Sequence, residues 1–451
     1  MARAESIRKT NSIGRKEIFA LAWPAILEMC LHMTAWIFDT AMVGRLGAAE
    51  LSAVALGGQV YFSLVWVLGA VGIGITALVA RHKGEEDLLG ASHISEHGLF
   101  LALVLGAICT AVIAPNAHLV YRWAQTEQSV AAMGTGYVRA LSLAAVIYLP
   151  TIAANGIMRG AGDTQGPLMV TIVTNIVNIV GDYLLIFGSF GFPRLGVLGA
   201  GYALVSGQII GGIFAVILLL RRTSLRLRLS QIIRPNSATL KRIIRVSIPA
   251  AVEALLRDGA RTFSTMIIAS MGTITLAAHQ VTVTAESLSF MPGYGFAIAA
   301  SIVTGQRLGA GQPDEAEKGT SEAWRMGLIV MCVMGIAFLL FPEYILRLFT
   351  TDPEVIRLGA RCLRIAAFMQ PAICTSDVFA GALRGAGDTE TAMYISGISS
   401  WVIRVPLIVI GVYVLDFSLE AIWVVILAEI IFKAAAAWNV FNRGRWKQKE
   451  V

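Results

Sequence analysis

Charged side chains are scarce in this sequence: Asp, Glu, Lys and Arg make up 14% of its 451 residues, while 56% are hydrophobic. A water-soluble chain of this length needs about a quarter of its residues charged, so that class is excluded. Cysteine is scarcer still. Cys30, Cys109, Cys332, Cys362 and Cys374 stand singly along or beside apolar stretches, so neither a disulfide framework nor a cysteine metal site is expected. No Walker motif, no nucleophile elbow and no His/Cys cluster at metal-ligand spacing is found, which argues against a primary pump and against a membrane enzyme. No A-x-A-like cleavage site follows the basic stretch 1–16, so the apolar run from Ile18 to Gly44 reads as an uncleaved first span.

What is present is a series of long apolar runs, near 17–43, 53–80, 95–115, 131–158, 167–189, 198–220, 242–270, 278–305, 323–342, 358–383, 391–413 and 419–441. Runs of about 20 residues are the length a helix needs to cross hydrocarbon. Only helices and closed barrels satisfy their backbone groups in lipid, and a barrel would show alternating segments of about 10 residues instead of solid ones. The expected fold is therefore an all-α membrane protein of about twelve transmembrane helices. The net charge of +7 is not one patch. Placing the N-terminus inside puts about 23 basic residues on one side of the membrane and about 7 on the other, which the positive-inside rule converts into cytoplasmic termini and a multi-pass protein of the cell (inner) membrane. The basic linker holding Arg221, Arg222, Arg226, Arg228, Arg234, Lys241, Arg242 and Arg245 reads as an anchor beside anionic lipid headgroups; no nucleic-acid partner is expected.

The chain also repeats itself at an offset of 225 residues. Pro24 recurs as Pro249, Glu28 as Glu253, Leu31 as Leu256, Phe38 as Phe263, Gly47 as Gly272 and Gly84 as Gly309, and the hexapeptide RGAGDT at 159–164 returns intact at 384–389. Six spans per copy is an even number, so the copies enter from the same side and form two pseudo-symmetric lobes. The expected organisation is a cytoplasmic segment 1–16, an N-lobe 17–220, the linker 221–241, a C-lobe 242–441 and a cytoplasmic tail 442–451.

Ionisable groups at membrane depth are costly and are the default functional candidates. On the first span Glu28, His32 and Asp39 fall within roughly 40° of one another at about 100° per residue. On the fifth, Asn175, Asn178 and Asp182 share one face at i, i+3 and i+7. If the two stripes meet, carboxylate and amide oxygens converge, suited either to a hard cation such as sodium or to a proton shared between like charges. The seventh span carries Glu253, Arg257 and Arg261, where Glu253 and Arg257 have the spacing of an i, i+4 ion pair. By the same rule Glu429 pairs with Lys433. Asp377 and Arg404 are placed to bridge neighbouring spans, or to meet substrate, and Glu286 precedes a Phe290–Gly293 bend (F-M-P-G) that offers a gate. In the RGAGDT loops, Arg159 and Asp163 are expected to bond each other and the carbonyls at a helix end.

With these residues in view, W-P-A-I-L-E from Trp23, D-T-A-M-V-G-R-L-G from Asp39, L-A-A-H-Q in the eighth span, S-L-S-F-M-P-G and both RGAGDT loops resemble the multidrug and toxic compound extrusion (MATE) family, over nearly the whole chain. The resemblance implies export of small organic, often cationic, compounds in exchange for inward Na+ or H+, by a monomer in membrane lipid, with no catalytic residue, no cofactor and no metal beyond Na+. It carries a cation site over to Asp39, Asn178 and Asp182, with Tyr137 on the fourth span. Glu28, His32, Asn175, Glu253, Arg257, Arg261, Glu286 and Asp377 are the substrate and coupling candidates. A hydroxyl expected on the sixth span falls at Leu204, and two carboxylates typical of one branch fall at Arg257 and Ile373, so the ion chemistry is expected in the N-lobe. The rival readings are a flippase for lipid-linked precursors in the same superfamily, which favours a more basic cavity and extra spans, and a channel or sensor.

Overall fold

Every described segment of length is helical. The computed structural model describes residues 14–225, 227–228 and 236–449, and among these there is no strand. The helices are α1 Arg15–Gly44, α2 Ala48–Gly84, α3 Leu88–Trp123, α4 Gln128–Gly160, α5 Gln165–Phe187 and α6 Val197–Arg222. They continue as α7 Ser237–Ala269, α8 Thr273–Gly309, α9 Pro313–Leu340, α10 Pro353–Gly385, α11 Thr389–Tyr413 and α12 Leu419–Asn442. Among the described residues eleven are long and apolar enough to cross a membrane. The remaining one, α7, has the length but carries Lys241, Arg242, Arg245, Glu253, Arg257, Asp258 and Arg261, which is why its composition falls short. The helices outrun the apolar runs because their polar first and last turns continue past the hydrocarbon. The expected linker is correspondingly shorter: Arg221 and Arg222 close α6 and Ser237 already opens α7. Most of the N-terminal segment 1–16, Arg226, Arg234 and the end of the tail lie outside the described residues.

Helix boundaries follow local chemistry. Asp87 caps α3 by accepting the Gly90 N–H at 2.9 Å. Asp352 caps α10 by accepting the Glu354 N–H at 2.8 Å, with Pro353 in the first turn where its missing N–H costs nothing. The two RGAGDT turns close α4 and α10 by the same device. Gly162 and Gly387 take left-handed φ of 90° and 83°, a region where a Cβ is strained. The next N–H then reaches back, from Asp163 to the Met158 carbonyl and from Asp388 to the Leu383 carbonyl, each at 2.8 Å.

The chain divides into two compact units, one of residues 27–251 and the other of the residues up to Ile26 together with those from Val252 on. In the first, α4 packs against α2, α3 and α6; in the second, α10, its match at the 225 offset, packs against α8, α9 and α12. The repeat holds at the level of single atoms. A Cβ on Gly156 would lie 2.7 Å from the Gly72 carbonyl oxygen, and one on Gly160 would lie 2.8 Å from that of Thr76. At the same offset, Gly381 abuts the Ala297 carbonyl and Gly385 that of Ser301. Glycine is required at these helix crossings because overpacking a core costs about 1–3 kcal/mol. The core of the second unit runs through Phe296, Phe338, Phe379, Trp423, Phe441 and Trp446, and Ile18 and Ala22 of α1 belong to it.

Candidate functional site

α5 buries one stripe and exposes the other. Thr171, Asn175, Asn178 and Asp182 are all buried, Asp182 completely, so polar residues occupy the face where an amphipathic helix ordinarily places its apolar ones. Small residues on α6 make room for them. A Cβ on Gly207 would meet the Thr174 carbonyl at 2.9 Å and the Asn178 Cβ at 3.3 Å, and one on Gly201 would touch the Tyr137 ring at 3.3 Å. Asn175 donates its amide N–H to the Leu31 carbonyl at 2.8 Å, which seats α5 on α1. That contact accounts for Asn175 as a strut between helices.

The remaining residues converge. Asn178 donates to Asp182 Oδ2 at 3.0 Å. The Asp39 carboxyl, half-buried on α1, comes within hydrogen-bonding reach of that of Asp182. Tyr137, 1% exposed on α4, sits within electrostatic reach of both. Among the described residues, one oxygen of each carboxylate, Asp39 Oδ1 and Asp182 Oδ1, is buried with no hydrogen-bond partner. A buried acceptor left unsatisfied costs ~1–3 kcal/mol, more when charged. Two such oxygens in one place, beside a phenol and an amide, form a donor set of the hard, oxygen-only kind that suits Na+ or a proton.

Glu28 and His32 lie apart from this set. Glu28, 1% exposed, accepts from Arg159 Nη2 at 2.6 Å, and His32 Nε2 is 4.0 Å from Glu28 Oε1 with its side chain about half exposed. The expected Arg159–Asp163 bond is therefore not formed. Asp163 instead accepts from Arg222 Nε at 2.8 Å and from the Gly166 N–H at 2.9 Å, because α5 starts there and presents free N–H groups. The same correction applies in the second unit. Glu253 pairs with Arg384 at 2.7 Å and takes a third bond from Ser396 at 3.0 Å, while Arg257 leans on its neighbour Asp258 at 3.6 Å. A fully buried carboxylate is better served by a partner on another helix than by an arginine four residues on, whose side chain is 48% exposed. Both Arg159 and Arg384 open an RGAGDT motif, so the two latches are one latch repeated.

Two further expected pairs are absent among the described residues. No ion pair joins Glu429 to Lys433, and none joins Asp377 to Arg404. Among the described residues Asp377 Oδ1 takes the Ser376 hydroxyl at 3.4 Å, and Asp377 Oδ2 and Arg404 Nε are buried with no hydrogen-bond partner. Arg404 lies in a π-helical stretch, Ile398–Arg404, within electrostatic reach of Glu429, Glu286 and Arg261. Glu286 is half-buried and Arg261 exposed. The Phe290–Gly293 bend is not a break: α8 runs unbroken through Pro292. Two groups that mix histidine with carboxylates, which a search for His and Cys alone does not cover, also come together: His93, Glu96 and His97, and His82, Glu85 and Asp87.

Comparison with known proteins bears on the whole chain. The family model described as MatE matches residues 24–184 and 249–410. The chain is 30% identical over 438 residues to a probable multidrug resistance protein NorM of Thermotoga maritima, covering 97% of this chain and 94% of that one. It is 23% identical to the uncharacterized transporter YisQ of Bacillus subtilis, over 96% and 95% of the two chains. Among solved structures it is similar to an outward-facing multidrug resistance MATE family transporter of the MOP superfamily, with TM-score 0.90, 23% identity and 97% of each chain covered. It is also similar to a MOP superfamily transporter from Pyrococcus furiosus, with TM-score 0.89, 23% identity and coverage of 96% and 97%. These likenesses are of fold.

Proposed function

The chain belongs to the MatE family, whose members are multi-pass membrane transporters and not enzymes, and from that premise we propose that it is a cation-coupled antiporter exporting small organic, often cationic, compounds. The driving ion, Na+ or H+, binds in the N-lobe at Asp39, Asn178 and Asp182 with Tyr137 beside them. The observation that carries the reading is the pair of buried, unpartnered carboxylate oxygens, Asp39 Oδ1 and Asp182 Oδ1.

The physics of exchange follows from that pair. Two like charges within hydrogen-bonding reach repel unless a cation or a proton lies between them, so the empty and loaded forms of the site prefer different distances between α1 and α5. Asp39 is one of the last residues of α1, and Pro24 interrupts the hydrogen-bond ladder of the same helix. Loading the site therefore changes how α1 packs, and drug affinity changes with it, provided that ion and drug prefer different conformers. The names of the relatives support a multidrug substrate range. The bias of basic residues toward one side supports cytoplasmic termini and a location in the cell (inner) membrane.

Dye uptake into everted vesicles, driven separately by an outward sodium gradient and by an outward proton gradient, tests this. Wild type should accumulate dye under one gradient, and Asp39→Asn should reduce that uptake to the leak seen with no gradient. Gradient-driven uptake unchanged in Asp39→Asn would sink the proposed site.

A further inference from the structure

α3 opens with residues that the transport reading leaves unused. His93, Glu96 and His97 stand at i, i+3 and i+4, on one helix face, and one nitrogen or oxygen of each lies within 4.8 Å of the others. The two imidazoles stack with centroids 6.2 Å apart and planes 15° from parallel. Glu96 and His97 are each 2% exposed, whereas His93 faces solvent. The cluster is thus closed on the protein side and open along one edge.

Its hydrogen bonds are those of a ligand set. Nδ1 of His97 lies 2.6 Å from the His93 carbonyl. A carbonyl only accepts, so Nδ1 carries the proton and Nε2 keeps its lone pair. That Nε2 is buried and has no partner among the described residues. An imidazole whose Nδ1–H is tied to a backbone carbonyl while Nε2 stands free is held as metal-ligating histidines are held. Glu96 is oriented in the same manner, with Oε1 accepting the Arg228 backbone N–H at 2.6 Å. The second histidine group shows the alternative. His82 Nδ1 is 3.1 Å from Asp87 Oδ2 and its Nε2 is 3.4 Å from Arg242 Nη1, so both nitrogens are committed and that group is a capping network.

We propose that His93, Glu96 and His97 bind a divalent transition-metal ion of the zinc class, and that the ion steadies the backbone at Arg228 through its hydrogen bond to Glu96. Two imidazoles and a carboxylate with one position open to water suit zinc, and H-x-x-E-H is a spacing that carries zinc on helices of some metallopeptidases. Here the chain is a transporter, and the ion acts on the linker rather than on a substrate.

The full-length protein, metal-stripped in detergent, should bind one Co2+ with visible d–d absorption that Zn2+ then displaces. His93→Ala, a substitution at an exposed position that leaves the fold intact, should weaken Co2+ binding at least about tenfold, and His97→Gln should do the same. His82→Gln should leave binding unchanged. Zn2+ should slow tryptic cleavage after Arg228 in wild type and not in His93→Ala. No displaceable Co2+ absorption in wild type, or equal affinity in His93→Ala, overturns the site; equal protection by Zn2+ in both proteins overturns the bracing role.

Discussion

The two halves of this chain agree where backbones meet and in one buried ion pair, and differ in the side chains that line the fifth helix of each. Leu31 and Leu256, related by the 225 offset, each offer a carbonyl to the fifth helix of their half. Asn175 takes the first at 2.8 Å through its amide, and Trp401 takes the second at 2.8 Å through its indole N–H. The residue that matches Asn175 is Ser400, so Trp401 reaches the carbonyl one position late. The π-helical Ile398–Arg404 stretch supplies that displacement, since i→i+5 bonding accommodates an additional residue in the turn. With that displacement Arg404 and Ile408 come where the first half has Asn178 and Asp182: Ile408 is fully buried as Asp182 is, whereas Leu407, the match by offset alone, is exposed. Duplication has thus kept the joint between helices and put an arginine and an apolar residue where the first half has an amide and a carboxylate.

The largest effect should come from treating the two sites alike. Asp182→Asn removes a charged oxygen ligand, and losing a charge-assisted contact of ~1.5–3 kcal/mol weakens apparent ion affinity roughly tenfold to hundredfold. Ile408→Val, at the buried position that takes its place in the second half, should change it by less than about twofold. Ion-dependent substrate counterflow in proteoliposomes measures both, and an equal loss in the two variants would break the contrast between the halves. Next in size are the latches. Arg159→Ala and Arg384→Ala each strand a buried glutamate, at a cost of about 3–5 kcal/mol. Thermal unfolding in detergent should show comparable losses, and replacing both partners of a pair by neutral residues should cost less than replacing the arginine alone. A latch that matters in only one half would show that the shared scaffold is weaker than the paired geometry implies.

Much of this was legible in the sequence and some was not, for identifiable reasons. About twelve spans and the repeat follow from run length and offset; the described residues form twelve long helices, eleven of them apolar enough to cross a membrane, and the repeat recurs in their packing. The i, i+4 rule assigns Glu253 the wrong partner because it considers one helix at a time, and a loop read by itself gives Arg159 to Asp163 instead of Glu28. Yet Glu28 with Arg159 and Glu253 with Arg384 recur together at one offset with opposite charges, a signal of contact that spacing along a helix cannot carry. The meeting of Asp39 with Asp182 depends on how α1 and α5 are rotated about their axes, which the stripes restrict but do not determine. The π stretch has no marker in Ile398–Arg404 beyond the nearby Pro406. His93, Glu96 and His97 stand in plain order, but a search for His and Cys alone passes over a cluster whose third member is a glutamate.

The smallest difference between the halves is a helix cap, and it can be tested from both sides. Asp87 caps α3, whereas Gln312, its match at the 225 offset, precedes α9 with no side-chain cap. The Gly90 N–H holds the Asp87 carboxyl below the usual carboxylate range, with His82 contributing less. Because the folded value is the lower one, this stabilisation is present above the ordinary carboxylate range and is lost as pH falls through the folded value. Asp87 is 46% exposed, so water screens part of the interaction, and Asp87→Ala should cost about 0.5 kcal/mol at neutral pH, the low end for an N-cap. The cost should shrink in acid, when the wild-type carboxyl is itself protonated. Gln312→Asp offers α9 the missing acceptor, but beside Asp314 and Glu315 in the first turn the added charge meets repulsion, so the gain should stay under about 0.5 kcal/mol. Thermal unfolding of the two variants across pH 4 to 8 would separate them: a loss that is independent of pH in Asp87→Ala would mean that packing against His82, and not the capped charge, is what that position contributes.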